Sequence, residues 1–207
     1  MTSKTPSEQF WERHYRGLQR PPTGRPSAVL VEYASKLSPG RSLDLGCSRG
    51  DDVIWLARQG WQSTGVDVSP HAVQTATARA AAAGVSDRTR FEAHDLSVRF
   101  PGGSFDLVSA LFFQSPVEFP REAVLRRAAA SVTAGGLLLI VDHASVAPWS
   151  WSAGTQFPTA EQTLDGIGLD LAVWDRVFVG TVERTATGPN RQTALVSDNI
   201  LALRRRA

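Results

Sequence analysis

The feature that most restricts this chain is its regular alternation of short apolar runs with amphipathic ones. Residues 41 to 46 (RSLDLG) read as a strand, Asp51 to Gln59 as a helix with Val53, Leu56 and Ala57 on one face, and Gln62 to Val68 as a second strand. Ser69 supplies an N-cap and Pro70 a first-turn proline for an alanine-rich helix that runs to Gly84. Thr89 to His94 and Phe105 to Phe112 continue the series. A helix carrying Val124, Leu125, Ala128 and Val132 then leads through Ala134-Gly135-Gly136 into Leu137 to Asp142. Leu137 to Val141 is apolar without alternation, as a central parallel strand covered on both faces must be. Strand and helix in strict turn predict a parallel sheet with helices on both sides.

The last third changes character. Pro158 to Ile167 predicts a short helix, and Trp174 to Thr185 and Thr193 to Leu203 predict two strands joined across Thr187-Gly188-Pro189-Asn190. That gap holds no helical crossover, so the two strands should pair antiparallel at one edge. Before the first strand lie two amphipathic helical patterns, one with Phe10, Trp11, His14 and Tyr15, the other with Val29, Leu30, Val31, Tyr33 and Ala34. The proline-rich stretch Arg20 to Pro26 separates them. The expected fold is α/β and Rossmann-like: a seven-stranded, mostly parallel sheet with helices on both faces, an antiparallel last strand and an N-terminal helical cap. At 207 residues one domain is expected, divided into a cap (1–38), a core (39–145) and a substrate-side loop, short helix and β-hairpin (146–207).

Composition narrows the function by exclusion. The net charge is +2, and the basic residues are scattered apart from Arg204-Arg205-Arg206, so a solvated tail is expected rather than a nucleic-acid site. No apolar run reaches the roughly 18 to 20 residues that span a bilayer, and the first residues lack the apolar core of a signal peptide; a cytoplasmic protein with no membrane partner is expected. Cys47 is the only cysteine, and the four histidines show no metal-ligand spacing, so no metal is expected.

The chemistry concentrates in Leu43 to Asp52, LDLGCSRGDD. In an open parallel sheet, ligands bind beyond the carboxyl ends of the strands, and glycine in the first loop lets backbone approach ligand. The second strand ends in Asp67, 21 positions after Gly46, where a carboxylate accepts hydrogen bonds from ribose hydroxyls. A dinucleotide loop has a third glycine and no negative charge facing the pyrophosphate; here Gly46 and Gly50 stand alone and the helix opens with Asp51 and Asp52. Asp44, two residues before Gly46, is placed to hold a cationic amino group. An adenosine with a cationic amino-acid end and no phosphate is S-adenosylmethionine. A nicotinamide-dependent oxidoreductase, a non-catalytic binder and a different reaction of the same cofactor remain as alternatives.

Beyond these residues, LDLGCSRG with Asp67, HDL at His94 to Leu96, SFDLVSALF at Ser104 to Phe112 and AGGLLLIVDH at Ala134 to His143 resemble the class I S-adenosylmethionine-dependent methyltransferases. FWERHY, Phe10 to Tyr15, resembles the small bacterial branch related to tellurite-resistance and thiopurine S-methyltransferases. The resemblance implies that Asp44, Gly46 and Gly50, with Cys47 and Ser48 of the same loop, line the methionine part of the cofactor. It implies that Asp67 holds the ribose, Val68 lies against the adenine, and Asp95 with the Leu96 amide reads the adenine edge. Leu111 and Phe112 would complete the methionine side, with Trp11 and Tyr15 as a lid. Ser48 stands where the family more often has glycine and is expected to follow the same path with a negative φ.

Other candidates are weighed against plainer roles. His143, at the end of the fifth strand, is placed to take a proton from a substrate, or else only hydrogen-bonds locally. Gln114 is placed to orient substrate. Trp11 and Tyr15 share a helix face that also suits core packing, Trp149 and Trp151 suit a substrate wall, and Cys47 suits a small buried filler. The expected activity is methyl transfer to a small molecule, a soft sulfur or chalcogen nucleophile being suited because it needs no base. The oligomeric state does not follow from the sequence.

Overall fold

The computed structural model describes residues 4–19, 21–150 and 152–207. Helices α1 (Pro6–Gly17) and α2 (Ala28–Ala34) precede a series of β1 (Arg41–Leu45), α3 (Asp51–Arg58), β2 (Gln62–Asp67), α4 (Pro70–Ala82), β3 (Thr89–Ala93), β4 (Phe105–Leu111), α5 (Arg121–Ala130), β5 (Val132–His143), α6 (Ala160–Ile167), β6 (Trp174–Thr187) and β7 (Thr193–Arg205). The seven strands form one sheet in the order β3-β2-β1-β4-β5-β7-β6. Strands β1 to β5 run parallel, and β7 is antiparallel to both neighbours, as the sequence predicts. The order reverses between β1 and β4, which opens a crevice at their carboxyl ends.

Local chemistry sets the helices and three apolar clusters fix them, the smallest of which joins Ile54 and Ala57 of α3 to Ala80 of α4. The Ser69 hydroxyl caps α4 by accepting from the Ala72 amide at 3.2 Å. The helix buries Ala72, Ala76 and Ala80, one small residue per turn. Along β5 the side chains alternate between cores: Leu138 and Ile140 join α5 and α6 on one face, and Leu137, Leu139 and Val141 join α2 and α3 on the other. A strand covered on both sides has no polar face, hence its unbroken apolar run.

One boundary differs from expectation. Val132 is not on α5, which ends at Ala130, but opens β5. It is 1% exposed and pairs with Phe105, whereas the next pair on the ladder is Leu107 with Leu137, so residues 133–136 form a bulge. The glycines that predicted a connection shape that bulge instead, with Gly135 at φ +78°.

The β6–β7 hairpin is longer than β5. Strand β7 pairs with β5 from Asp198 to Arg204 but with β6 from Thr193 to Arg205. Residues 183–187 and 193–197 therefore overhang the carboxyl end of the sheet. At the opposite end, Arg204 and Arg205 donate to the carbonyls of Gly135 and Val132, and Arg206 pairs with Asp175 at 2.7 Å. The arginine run thus ties the end of the chain to the sheet. Among the described residues no helix is long and apolar enough to cross a membrane.

Leu139, fully buried in β5, has no room to relax. Leu139→Ala should destabilise the chain by about 2–5 kcal/mol, whereas Leu195→Ala, at a position 65% exposed, should stay within about 0.5 kcal/mol; urea titration of both variants measures the difference.

Candidate functional site

Two cavities meet in the crevice. The first, about 570 Å³, is lined by Trp11 and Tyr15 of α1, Gly46, Asp67, Val68, Asp95, Leu96, Phe112 and Gln114, together with Ser7, His94, Phe113, Ser115 and Phe119. The second, about 540 Å³, is lined by Asp44, Gly46, Cys47, Ser48, Leu111 and Phe112, with Arg25, Ser27, Arg49, Asp51 and Asp52. Gly46 and Phe112 belong to both walls and mark the junction. Most of the residues expected at a cofactor site thus come together; Gly50 and His143 are in neither wall.

The loop after β1 is a tight turn. The amides of Gly46 and Cys47 both donate to the Val66 carbonyl, at 2.8 and 3.0 Å, and the Gly50 amide donates to Cys47 at 2.9 Å. Gly46 has φ +72°, and a Cβ there would lie 2.7 Å from the Phe113 ring. Gly50 caps α3 at φ +82°; a Cβ there would meet Ala76 at 2.9 Å, so its glycine is explained by the packing of α3 on α4. Ser48 corrects the expectation of a negative φ: it sits at +50°, in the left-handed region. That turn aims its amide at Asp67, which accepts it at 3.0 Å, and the bond offsets part of the backbone strain. Cys47 is a buried filler, its thiol pushed up by burial and then by Asp67 and Asp44.

Asp67 is buried beneath the first cavity, accepting from the amides of Ser48 and Ser69 and from the Tyr15 hydroxyl at 3.4 Å. Burial raises its pKa to about 6 despite these donors. Asp44, hydrogen-bonded by Ser109 at 2.7 Å, is pushed up by burial and then by the charges of Asp52 and Asp67. Asp52 accepts from the Ser27 amide at 2.6 Å and is raised by burial to about 6. Asp51 differs: Arg79 pairs with it, tying α3 to α4.

Helix α1 closes the first cavity and is held at four points. Thr5, its N-cap, donates to Asp95 at 2.9 Å; the Trp11 indole donates to Ser115 at 3.3 Å; Tyr15 reaches Asp67. The fourth point is Glu12, absent from the sequence reading. Its carboxylate accepts from the Ser69 hydroxyl at 2.6 Å, the His71 amide at 3.1 Å and Arg16 at 2.7 Å. Burial raises the pKa of Glu12, but these bonds outweigh it and hold the group at about 2. A signal existed: Glu12 lies one position after Trp11 and three before Tyr15, on the buried side of the same helix.

On the far side of Phe112 the arrangement changes. Phe112 directly follows β4 at φ +53°, and the His143 ring lies against it at a tilt of 30° with centroids 4.5 Å apart. His143 Nδ1 is 3.6 Å from buried Asp198, which also holds Arg184. The His143 amide donates to Gln114 Oε1 at 2.9 Å. Trp149 packs against the backbone at Gly188 in the β6–β7 turn, not in the cavity walls. Trp151, expected beside it, lies outside the described residues.

Residues 43–136 match a family model described as a methyltransferase domain. The chain is 32% identical over 142 residues to the ajmaline N-methyltransferase of Rauvolfia serpentina, matching 66% of this chain and 47% of that protein, so it spans about half the length of that relative. It is 31% identical over 157 residues to the 2-heptyl-1-hydroxyquinolin-4(1H)-one methyltransferase of Mycobacteroides abscessus, covering 68% of this chain and 67% of that protein. The chain belongs to the class I S-adenosylmethionine-dependent methyltransferases. The methyltransferase fold agrees: a solved structure concerned with conversion of a disulfide bond into a thioacetal group during echinomycin biosynthesis superposes with a TM-score of 0.74 at 23% identity, covering 96% of this chain and 93% of that one.

The family's cofactor fits the donors present. Asp44 and Asp52 in the second cavity suit an ammonium, and Arg25 and Arg49 in the same wall suit a carboxylate. Together they match an amino-acid zwitterion. The first cavity offers one buried carboxylate and aromatic walls and, among the described residues, no lysine or arginine to hold a phosphate.

Two outcomes follow for this chain. A left-handed non-glycine residue costs about 1–2 kcal/mol, so Ser48→Gly should raise the melting temperature, with the gain reduced by the added freedom of the unfolded chain. The pH dependence has two windows of opposite sign. Glu12, lowered from 4.5 to about 2, stabilises the fold above pH 4.5, and that share is lost as pH falls toward 2. Asp67, raised from 3.8 to about 6, favours the fold below 3.8, and that share is lost as pH rises through 6. Melting curves should show Glu12→Gln reducing the first slope and Asp67→Asn reducing the second, to which Asp52, also raised to about 6, contributes as well.

Proposed function

We propose that this chain transfers the methyl group of S-adenosylmethionine to a small-molecule acceptor. The observation that carries the reading is the pair of cavities joined at Gly46 and Phe112, one closed by aromatic side chains over Asp67, the other carrying both charge signs. In this reading the adenosine occupies the first cavity. Asp67 accepts from the ribose hydroxyls, Val68 lies against the adenine, and Asp95 with the Leu96 amide reads its edge. The amino-acid end occupies the second cavity beside Asp44, within the Gly46-Cys47-Ser48 turn, while Leu111 and Phe112 flank the sulfur. Trp11 and Tyr15 act as lid. Residues 1–207 would form one catalytic unit in the three parts expected from the sequence.

Bound S-adenosylmethionine supplies an electrophilic methyl group on a positively charged sulfur. The chain's own contribution is alignment and the exclusion of water. Trp11, Phe112, Phe113 and Phe119 wall the cleft. Gln114 has its carbonyl oxygen engaged by the His143 amide, which leaves its NH₂ group to orient an acceptor. A sulfur or chalcogen acceptor, expected because it needs no base, suits a site whose contribution is alignment and the exclusion of water.

S-adenosylhomocysteine at 100 times its dissociation constant should add about 2.7 kcal/mol of stability, and NAD should add none. Asp67→Ala should weaken binding roughly 10- to 100-fold, through loss of charged hydrogen bonds of about 1.5–3 kcal/mol. A melting temperature unmoved by S-adenosylhomocysteine would sink the reading.

A further inference from the structure

We infer that the outer edge of β6 is a self-complementary docking surface, and that two copies of this chain join there, strand against strand, about a two-fold axis at Gly180. The inference goes beyond methyl transfer and does not depend on it. Strand β6 ends the sheet, its 14 residues contain no proline, and among the described residues nothing pairs with its outer side. The opposite edge strand, β3, has five residues. A long edge is a row of unpaired amides and carbonyls, which proteins commonly shorten, block or pair. Of the exposed large apolar side chains among the described residues, Leu171, Val173, Val177 and Phe178 gather at the start of this strand.

The order of charges names the occupant. From Asp175 to Arg184 the strand reads DRVFVGTVER. Its ladder with β7 skips Val177, a bulge, and the pairs on that ladder fix the faces. Arg176 and Val179 stand opposite Leu203 and Leu201, on the α5–α6 side, whereas Phe178 and Gly180 stand opposite Ala202 and Ile200, on the α2–α3 side. Turned about Gly180 with the bulge left out, a second copy sets Val179 against the partner's Thr181 and Phe178 against the partner's Val182. Arg176 then meets the partner's Glu183, and Asp175 the partner's Arg184. Every pair shares a face, as an antiparallel ladder requires, and both charged pairs have opposite signs. A slip of two positions either way sets Asp175 against the partner's Val182 or Glu183 against the partner's Val179 instead. The Phe178 ring lies over Gly180, 3.2 Å from where a Cβ would stand, so both copies line the axis with apolar surface.

Asp175, Arg176 and Arg184 are 54%, 43% and 44% exposed on their side chains, and Glu183 is exposed too. Within each copy Arg176 binds Glu161, Asp175 binds Arg206 and Arg184 binds Asp198. The cross-strand pairs extend these contacts with signs that alternate: Glu161, Arg176, the partner's Glu183 on one face, and Arg206, Asp175, the partner's Arg184 on the other. A two-fold contact of this kind occupies both β6 edges and closes the assembly at two copies. It also sets the partner's Asp175 beside Arg184, whose guanidinium lies over the Phe112 ring at 5.9 Å to its centroid. The second copy thus braces the hairpin where it overlooks the junction of the cavities.

Sedimentation of the full chain over a range of concentrations should show a monomer–dimer equilibrium and nothing larger. Arg176→Glu sets like charges against the partner's Glu183, and Glu183→Arg does the same against the partner's Arg176, each twice by symmetry. Either variant alone should weaken self-association about 10-fold or more. Mixed in equal amounts, the two variants should pair with each other to within about threefold of the native affinity, because every charge then meets its opposite. Melting curves check that both fold. In the native chain, amide exchange over residues 175–185 should slow as concentration rises; this readout needs no variant and decides the matter if either one fails to fold. A chain that stays monomeric at every concentration, assembly that continues past two copies, charge reversal without effect, variants that do not pair when mixed, or concentration-dependent protection in a segment other than β6 would each overturn the inference.

Discussion

The carboxylate of Glu12 at the start of α4 is the contact on which the shape of the site depends. It is a buried charge, tolerable only because a hydroxyl, a backbone amide and a guanidinium all donate to it. The first turn of a helix is a favourable place for it, since unpaired amides and the helix dipole converge there. Once Glu12 is seated, the rest of α1 follows: Tyr15 reaches Asp67, Trp11 reaches Ser115 and Thr5 reaches Asp95. The cover over the first cavity is therefore positioned by a polar anchor and not by apolar burial; Glu12, 8% exposed, is the one buried residue of α1.

The carboxylates below that cover form a second constraint. Asp44, Asp52 and Asp67 are each raised, chiefly by burial, and Asp44 is raised further by the other two. A cluster of this kind is uncomfortable when empty of positive charge and is relieved by a cation. The strained turns at Ser48 and Phe112 stand at the same place, one presenting an amide to Asp67 and the other directly following β4 where the cavities join. Backbone strain and raised carboxylates coincide there, as they do where structure is held ready for a ligand.

Much of this was legible in the sequence because it is written in local patterns. Strand and helix periods placed β1 to β5 and their helices, Ser69-Pro70 placed the start of α4, and the missing crossover after Thr187 placed the antiparallel edge. What escaped depends on contacts between distant segments. Val132 suits a helix by its neighbours, yet it pairs with Phe105 across the sheet. Ser48 is left-handed because of Asp67, 19 positions away. Glu12 looks like an ordinary helix glutamate until α4 is set beside it. His143 was expected at the pocket, but the ring of Phe112 stands between them.

The overhanging β6–β7 hairpin divides the molecule by ownership. Every described residue in the walls of the two cavities comes from positions 7 to 119, whereas the ribbon that rises beyond β5, with Arg184 and Asp198 at its base, belongs to the last quarter of the chain. Its turn is built on the left-handed pair Asn190 and Arg191, a form that tolerates changes in length better than the strands it joins. Such a partition makes the ribbon an interchangeable part: lengthening or recutting it would reshape what can approach Phe112 while leaving every wall of the donor's cavities in place.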